Sequence, residues 1–319
     1  MDRTADNPWL HRIAVLTACT AVFTIVVGTA VTSKQAGMAF PDWPTSDGYG
    51  IFAYPWLRSA GDKFLEHGHR LAGILIGITS LVLCASLAWK ERRTWVKCLG
   101  VAVLLAVIAQ GLLGGLRVLR DAEDLALIHG SGGALVFALI VCVAVVTNRD
   151  WLGPFSGAQP ATVARLRMLA MAASGCVFVQ YVLGGFLRHK GMHLHSHLGF
   201  AFVTALVLVW LAISVAASGI TRLRGLATTL ALLTVSQLAL GAAAWVTKFG
   251  NGDYVAVRGS TLSVTMLSLH VVTGALLLGA CVALSVRLAR LHWTLKGASR
   301  NLIDVRSIEA RFPLAGGSR

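Results

Sequence analysis

Four ionisable side chains stand together at the start of a long apolar stretch, in the sequence EHGHR at residues 66–70. They are a carboxylate, two imidazoles and a guanidinium: Glu66, His67, His69 and Arg70. Charged groups at the end of a membrane span are costly unless they pair with each other or serve a function. Glu66 and Arg70 are spaced to form an ion pair on one helix face. A carboxylate can also handle protons or water, and imidazoles bind metals.

Eight apolar stretches are long enough to cross a hydrocarbon layer of about 30 Å. Hydrophobic residues make up 56% of the 319-residue chain, charged residues only 13%, and the mean hydropathy is +0.71. The predicted spans are 12–32, 65–89, 98–118, 124–147, 166–188, 194–217, 225–247 and 263–289. The sequence therefore predicts an all-α polytopic membrane protein with eight transmembrane helices.

Basic residues dominate the charge balance, which is +14. They are concentrated in alternate connections between spans and in the tail, as the positive-inside rule predicts for a chain with both termini in the cytoplasm. Membrane orientation thus explains the charge, and no nucleic-acid partner is expected. The first apolar run is too long for a signal peptide and lacks a convincing cleavage site, so we interpret it as helix 1. The six cysteines fall in or beside spans and are read as core residues.

An internal duplication divides the chain into residues 1–150 and 151–319. The odd-numbered helices share QGLLGG (110–115), QYVLGG (180–185) and QLALGA (237–242), while helix 1 matches only at Gly28. The even-numbered helices match at histidines, His69 with His197 and His129 with His270. Repeats of four spans keep the same orientation, so we predict two parallel four-helix repeats.

The four matched histidines are predicted to share one depth, near the outer ends of the even-numbered helices. Each half then has two imidazoles that can ligate one porphyrin iron, as in a membrane b-type heme. Gly114, Gly184 and Gly241 would let a flat macrocycle approach the backbone, although small-residue helix packing would use them equally. Three arginines near span ends could pair with heme propionates, or could simply reach the interface: Arg70, Arg117 and Arg188.

The two halves differ in ways that favour an enzyme over a plain cytochrome. Only the first half has a long outer loop, residues 33–63, rich in Pro, Gly and aromatic residues, and only it has Glu66, where the second half has Leu194. An ordered lid and a carboxylate suit a site that exchanges a large substrate. For His67, His193 and His195 we expect interfacial or propionate-contacting positions, and for His11, His189 and His292 no functional role.

These residues resemble heme A synthase and its relatives, whose motif is Glu-x-x-His-Arg. The match includes EHGHR, LIHG at 127–130, AGMAFPDWP at 36–44 and GGFLRH at 184–189. The resemblance implies oxidation of the C8 methyl of heme O to the formyl of heme A for cytochrome oxidase. It implies heme O between His69 and His129, heme B on His197 and His270, and Glu66 as the catalytic carboxylate.

The same resemblance implies a bacterial inner membrane location, with heme O synthase and the cytochrome oxidase assembly machinery as partners beside membrane lipid. Two features depart from the family: the first-half loop has no cysteine pair, and the loop at 189–193 is short. The alternatives are a bis-histidine b-type membrane cytochrome and a heme-handling assembly factor without oxidation chemistry of its own. A transporter ranks below both, because no span interior carries an acidic residue.

Overall fold

The computed structural model describes residues 7–152, 158–249 and 260–311, and in that part of the chain it contains eight long helices. All eight are long and apolar enough to cross a membrane, which confirms the predicted fold class of a helical, multi-pass membrane protein. Their bounds are α1 Pro8–Lys34, α2 Gly61–Lys90, α3 Thr94–Arg120, α4 Glu123–Thr147, α5 Pro160–Lys190, α6 Leu194–Ala217, α7 Arg224–Phe249 and α8 Thr261–Arg311.

The helix ends follow local sequence signals. The side chain of Asn7 accepts a hydrogen bond from the backbone N–H of Trp9 at 3.1 Å, and Pro8 occupies the first turn of α1. Pro160 likewise begins α5. Gly191 ends α5 with φ of 67°, a left-handed conformation that glycine adopts without strain. Because α6 begins three residues later, α5 and α6 form a tight helical hairpin.

Neighbouring helices pack in the same order in both halves. In the first half α1 packs on α2, α2 on α3, α3 on α4 and α4 back on α1, and α5 to α8 repeat this order. The two bundles meet where α8 packs on α1 and α4, and where α4 packs on α5. This common order supports the proposed duplication, and the parallel relation of the two repeats stays a prediction.

Helix α8 extends well beyond its predicted end at residue 289. It continues to Arg311, so the stretch from Arg287 that we expected to be a cytoplasmic tail begins as helix. Hydropathy marks where the chain leaves the apolar layer, but a helix can continue past that point into water. Arg290 illustrates this, since its guanidinium lies 4.9 Å above the ring of Trp151. Residues 312–319 of the predicted tail lie outside the described residues.

The segment between α1 and α2 is folded against the first half. Phe40 and Ser46 are fully buried, and the ring of Phe40 meets that of Tyr54 edge to face at 5.1 Å. The indole of Trp43 lies so close to α3 that a β-carbon at Gly115 would be 2.3 Å from it. The predicted outer loop is therefore a packed cap on one end of this bundle.

Candidate functional site

Each of the four histidines singled out by the duplication lies against a glycine of the preceding helix. A β-carbon built at Gly28 would be 2.7 Å from Cε1 of His69, too close for any side chain. The same construction gives 3.0 Å in the other three helix pairs, which are Gly114 with His129, Gly184 with His197 and Gly241 with His270. Four helical hairpins thus repeat one contact, including the first hairpin, where the sequence repeat is weakest.

The histidine rings face each other in two pairs. The ring centroids of His69 and His129 are 6.2 Å apart with planes at 80°. Those of His197 and His270 are 6.3 Å apart at 87°. One metal between two imidazoles needs centroids about 6 Å apart, because each metal–nitrogen bond is about 2 Å long and a ring nitrogen lies about 1 Å from its centroid. Both spacings suit a shared iron.

The surroundings of the rings fit a porphyrin better than a bare metal ion. No group of three or more His, Cys, Asp or Glu side chains in the described part of the chain could hold a metal alone. A porphyrin supplies four equatorial nitrogens and needs only two axial ligands. Gly73 and Gly133, each one turn after a paired histidine, have no atom within 4 Å of a built β-carbon. All four histidines are intermediate in exposure as whole residues.

The remaining ionisable residues of EHGHR face the loop. Oε2 of Glu66 accepts hydrogen bonds from the backbone N–H of Ala39 at 2.7 Å and of Phe40 at 3.2 Å. Its Oε1 pairs with Nη2 of Arg70 at 2.8 Å. Both side chains are more than 90% buried, so the ion pair predicted as the alternative for Glu66 is present. The carboxylate anchors the loop to α2, whereas His69 turns toward His129.

Comparison with known proteins identifies the family of the chain. The family model of the cytochrome oxidase assembly protein matches residues 11–196. The chain belongs to this family. A curated heme A synthase from Rhizobium rhizogenes is 27% identical over 165 residues, which is 49% of this chain and 42% of that protein. The chain therefore aligns with less than half of that relative's length. No solved structure gives a significant match.

The family match includes the first histidine pair and EHGHR but ends one residue before His197. The second pair is supported by its own geometry, which repeats that of the first pair almost to the tenth of an ångström. In a protein of the cytochrome oxidase assembly family, two such pairs are expected to bind hemes. The residues predicted to do so come together, and their role as ligands stays a prediction.

Two predicted propionate-binding arginines lie at the end of the bundle that carries the loop. Arg117 donates to the backbone oxygen of Gly37 at 2.7 Å. Arg188 donates to the backbone oxygen of Thr29 at 2.6 Å and to Oγ of Ser33 at 2.8 Å. Neither forms an ion pair with a carboxylate among the described residues. Arg70 differs, because Glu66 already neutralises it and it binds the loop through the oxygen of Thr45.

The predicted glycines have a different immediate partner from the one we expected. We predicted that Gly184 and Gly241 would make room for a macrocycle, but each makes room for the histidine of the next helix. Sequence spacing cannot distinguish these cases, because both require backbone exposed at the same depth. The role of Gly184 and Gly241 in cofactor binding stays a prediction.

Two histidines occupy positions that differ from our expectation. His67 is not interfacial: it is 1% exposed, its Nδ1 lies 3.0 Å from Oγ of Ser46, and Tyr54 packs on its ring at 4.7 Å. His189 belongs to α5 and faces α4, where a β-carbon at Gly130 would be 3.5 Å from its Nε2. Neither contact has a local sequence signal, because both partners are distant in the chain.

The other histidines lie nearer the surface. His193 precedes α6 with φ of 65° and its ring meets that of Phe186 at 5.2 Å, while His195 is exposed. His11 contacts the oxygen of Ala144 through Nδ1 at 2.9 Å, which fixes α1 beside α4. These contacts account for packing and place none of the three in a histidine pair.

The carboxylate of Asp42 orders the tip of the loop. It accepts backbone hydrogen bonds from Asp47 at 3.0 Å and Gly48 at 2.8 Å. Slight burial raises its pKa, but hydrogen bonds from Thr45, Gly48 and Asp47 outweigh this and lower the pKa from 3.8 to about 2. The stabilisation is therefore complete above pH 3.8 and is lost as the pH falls toward 2.

Replacing Gly184 with leucine tests the contact between glycine and histidine. The new side chain would displace His197, and we expect heme retained by the purified protein to fall by roughly 10-fold, as for loss of a ligand-orienting partner. The measurement is the pyridine hemochrome content per protein. Gly175→Leu is the matched control, because that glycine lies on the same helix with no atom within 4 Å of a built β-carbon. Equal heme content in both variants would contradict the role of Gly184.

Proposed function

We propose that this protein is a heme A synthase, a membrane oxidoreductase that converts the C8 methyl of heme O into the formyl of heme A. Membership of the cytochrome oxidase assembly family supports this function. The observation that carries it is the asymmetry between two otherwise matching histidine pairs. Within the described residues, only the first pair lies beside a packed loop, and Glu66 and Arg70 hold that loop to the ligand-bearing helix.

His69 and His129 would hold heme O as the substrate, and His197 and His270 would hold heme B as a resident cofactor. Heme B, when bound, would supply one-electron transfer. Arg117 lies next to the first pair and Arg188 at the boundary between the halves, where α5 contacts α1. Each would pair with a heme propionate of opposite charge, because neither arginine has a carboxylate partner among the described residues.

Glu66 is proposed as the catalytic carboxylate of the first site. It lies one turn before His69, so its side chain is close to the edge of any porphyrin that His69 holds. A carboxylate in this position can orient water or stabilise positive charge that develops during oxidation of the methyl group. Its contacts with Ala39, Phe40 and Arg70 keep it in place and exclude bulk water.

A second candidate is a bis-histidine heme protein that serves oxidase assembly without oxidation chemistry of its own. One observation favours it: both oxygens of Glu66 already have partners, which would be enough to explain why a carboxylate is present. In this alternative Glu66 acts only through the loop. The two candidates make different predictions for the heme that accumulates when Glu66 is replaced.

The proposed setting is a bacterial inner membrane with both chain termini in the cytoplasm. The loop and the histidine pairs would then lie toward the outer face. The substrate would come from heme O synthase and the product would pass to cytochrome oxidase during its assembly. Eight apolar helices and the family membership support this placement.

Glu66→Gln is expected to lower heme A production by roughly 100-fold while the protein retains heme B, because the amide cannot carry the negative charge. The measurement is chromatography of acid-acetone-extracted hemes from cells that also express a heme O synthase. Heme O should accumulate in place of heme A. Normal heme A production from the variant would remove Glu66 from the mechanism.

Glu91→Gln provides a matched control for that experiment. Glu91 is also a buried carboxylate of the α2 region that pairs with an arginine, Arg93, and accepts hydrogen bonds from backbone N–H groups. It lies at the opposite end of α2, so its loss should leave heme A production unchanged. Limited proteolysis of the loop should be compared in both variants. A loop that stays protected in Glu66→Gln indicates a catalytic loss, whereas a loop that is cleaved only in Glu66→Gln indicates an unfolded loop and supports the second candidate.

Alanine substitution of the paired histidines is expected to show which half of the protein binds which heme. His197→Ala or His270→Ala should remove essentially all of the resident b-type spectrum, because one axial ligand and its glycine contact are lost. His69→Ala or His129→Ala should leave that spectrum in place and remove heme O. Absorption spectra of the purified variants test this, and an unchanged spectrum in His197→Ala would exclude that ligand.

A further inference from the structure

Three glutamines occupy equivalent places in the odd-numbered helices, one turn before the glycine that contacts a histidine. They are Gln110, Gln180 and Gln237, and in each the side-chain oxygen Oε1 is buried without a hydrogen-bond partner among the described residues. Buried amide oxygens are seldom left unpaired. Three unpaired oxygens at repeated positions near three candidate ligands indicate that the glutamines share a structural role.

The three amides reach the helix that carries the neighbouring histidine. Gln180 makes the closest contact, since its Nε2 donates to the backbone oxygen of His197 at 2.8 Å and lies 3.0 Å from Nδ1 of that ring. Nε2 of Gln237 lies 3.5 Å from Nε2 of His270, and not beside Nδ1 of that ring. Gln110 packs directly on α4, where a β-carbon at Gly132, one turn after His129, would be 2.2 Å from its amide nitrogen.

The chemistry of an iron-bound imidazole explains why an amide oxygen is useful there. A histidine that ligates iron through Nε2 carries a proton on Nδ1, and that proton needs an acceptor. The amide of Gln180 already faces Nδ1 of His197, and its unpaired Oε1 is the acceptor available on the same side chain. Turning the amide would bring Oε1 to Nδ1, because the oxygen and nitrogen ends are nearly the same in shape, in exchange for the hydrogen bond that Nε2 donates to the backbone oxygen of His197.

His69 has no such partner. The residue one turn before Gly28 is Thr24, whose hydroxyl donates to the backbone oxygens of Thr20 at 2.9 Å and Ala72 at 3.1 Å. Nδ1 of His69 is buried without a hydrogen bond of ordinary geometry. A helix backbone carbonyl lies beside every one of the four rings, so it cannot distinguish His69 from the others.

We propose that Gln180 is a positioning residue that orients His197 and increases its basicity by accepting a hydrogen bond from Nδ1. Gln237 and Gln110 occupy the equivalent positions in their own helices. The proposal rests on the proposed function, in which these histidines ligate iron. It deepens that function, because it gives His197, one ligand of the resident heme, a side-chain partner at Nδ1.

The test is a redox titration of the resident heme in full-length protein carrying Gln180→Leu or Gln180→Glu. Leucine removes the acceptor, so the midpoint potential should rise and heme should transfer to apomyoglobin roughly 10-fold faster. Glutamate is a stronger acceptor and should lower the potential. Gln180→Glu keeps the length of the side chain, so its potential provides the test if Gln180→Leu does not fold.

Ser174→Ala is the matched control, since Ser174 lies on the same helix and links α5 to α8 through Ser285 at 3.2 Å without contacting a paired histidine. Its potential should equal that of the wild type. Potential shifts of opposite sign in the leucine and glutamate variants support the proposal. Unchanged potentials in both, or heme loss alone, would overturn the role of Gln180 while leaving heme A synthesis in place. A wild-type protein without a bis-histidine heme would overturn the ligand assignment as well.

Discussion

The close approach of an imidazole to a glycine backbone is the contact on which the rest of this structure depends. It occurs in all four helical hairpins, with built β-carbons 2.7–3.0 Å from the histidine ring. A β-carbon would be too close to the ring at Gly28 and in tight contact with it at the other three glycines, so glycine favours this approach of the ring to the preceding helix. The contact limits the rotation of each ring and leaves its far edge free. Where two such hairpins face each other, their imidazoles form a pair with ring centroids 6.2–6.3 Å apart.

The EHGHR segment combines this contact with a second task. His69 follows the pattern of the other three histidines, whereas Glu66, His67 and Arg70 hold the loop between α1 and α2. One helix turn therefore connects the loop to the first histidine pair. The second half has Leu194 in place of Glu66 and a connection of only three residues between α5 and α6. The proposed duplication of a four-helix unit would account for both histidine pairs, and the loop distinguishes the first pair from the second.

Much of the architecture could be predicted because membrane spans and repeated histidines give strong signals. Eight spans and the pairing of His69 with His129 and of His197 with His270 follow from hydropathy and repeat alignment. The role of Gly184, the burial of His67 and the position of His189 could not be predicted, since each depends on contacts between helices. The predicted span ends at residue 289 and α8 continues beyond it, because charge marks the membrane boundary and does not end a helix.

The central claim is that each imidazole pair shares one iron, and electron paramagnetic resonance of the oxidised protein tests it most directly. The protein should be purified from cells that also make heme O, so that both sites can fill. Ring planes at 80° and 87° predict low-spin signals of the highly anisotropic type given by nearly perpendicular axial imidazoles. High-spin iron, or the rhombic signal of parallel rings, would contradict the account.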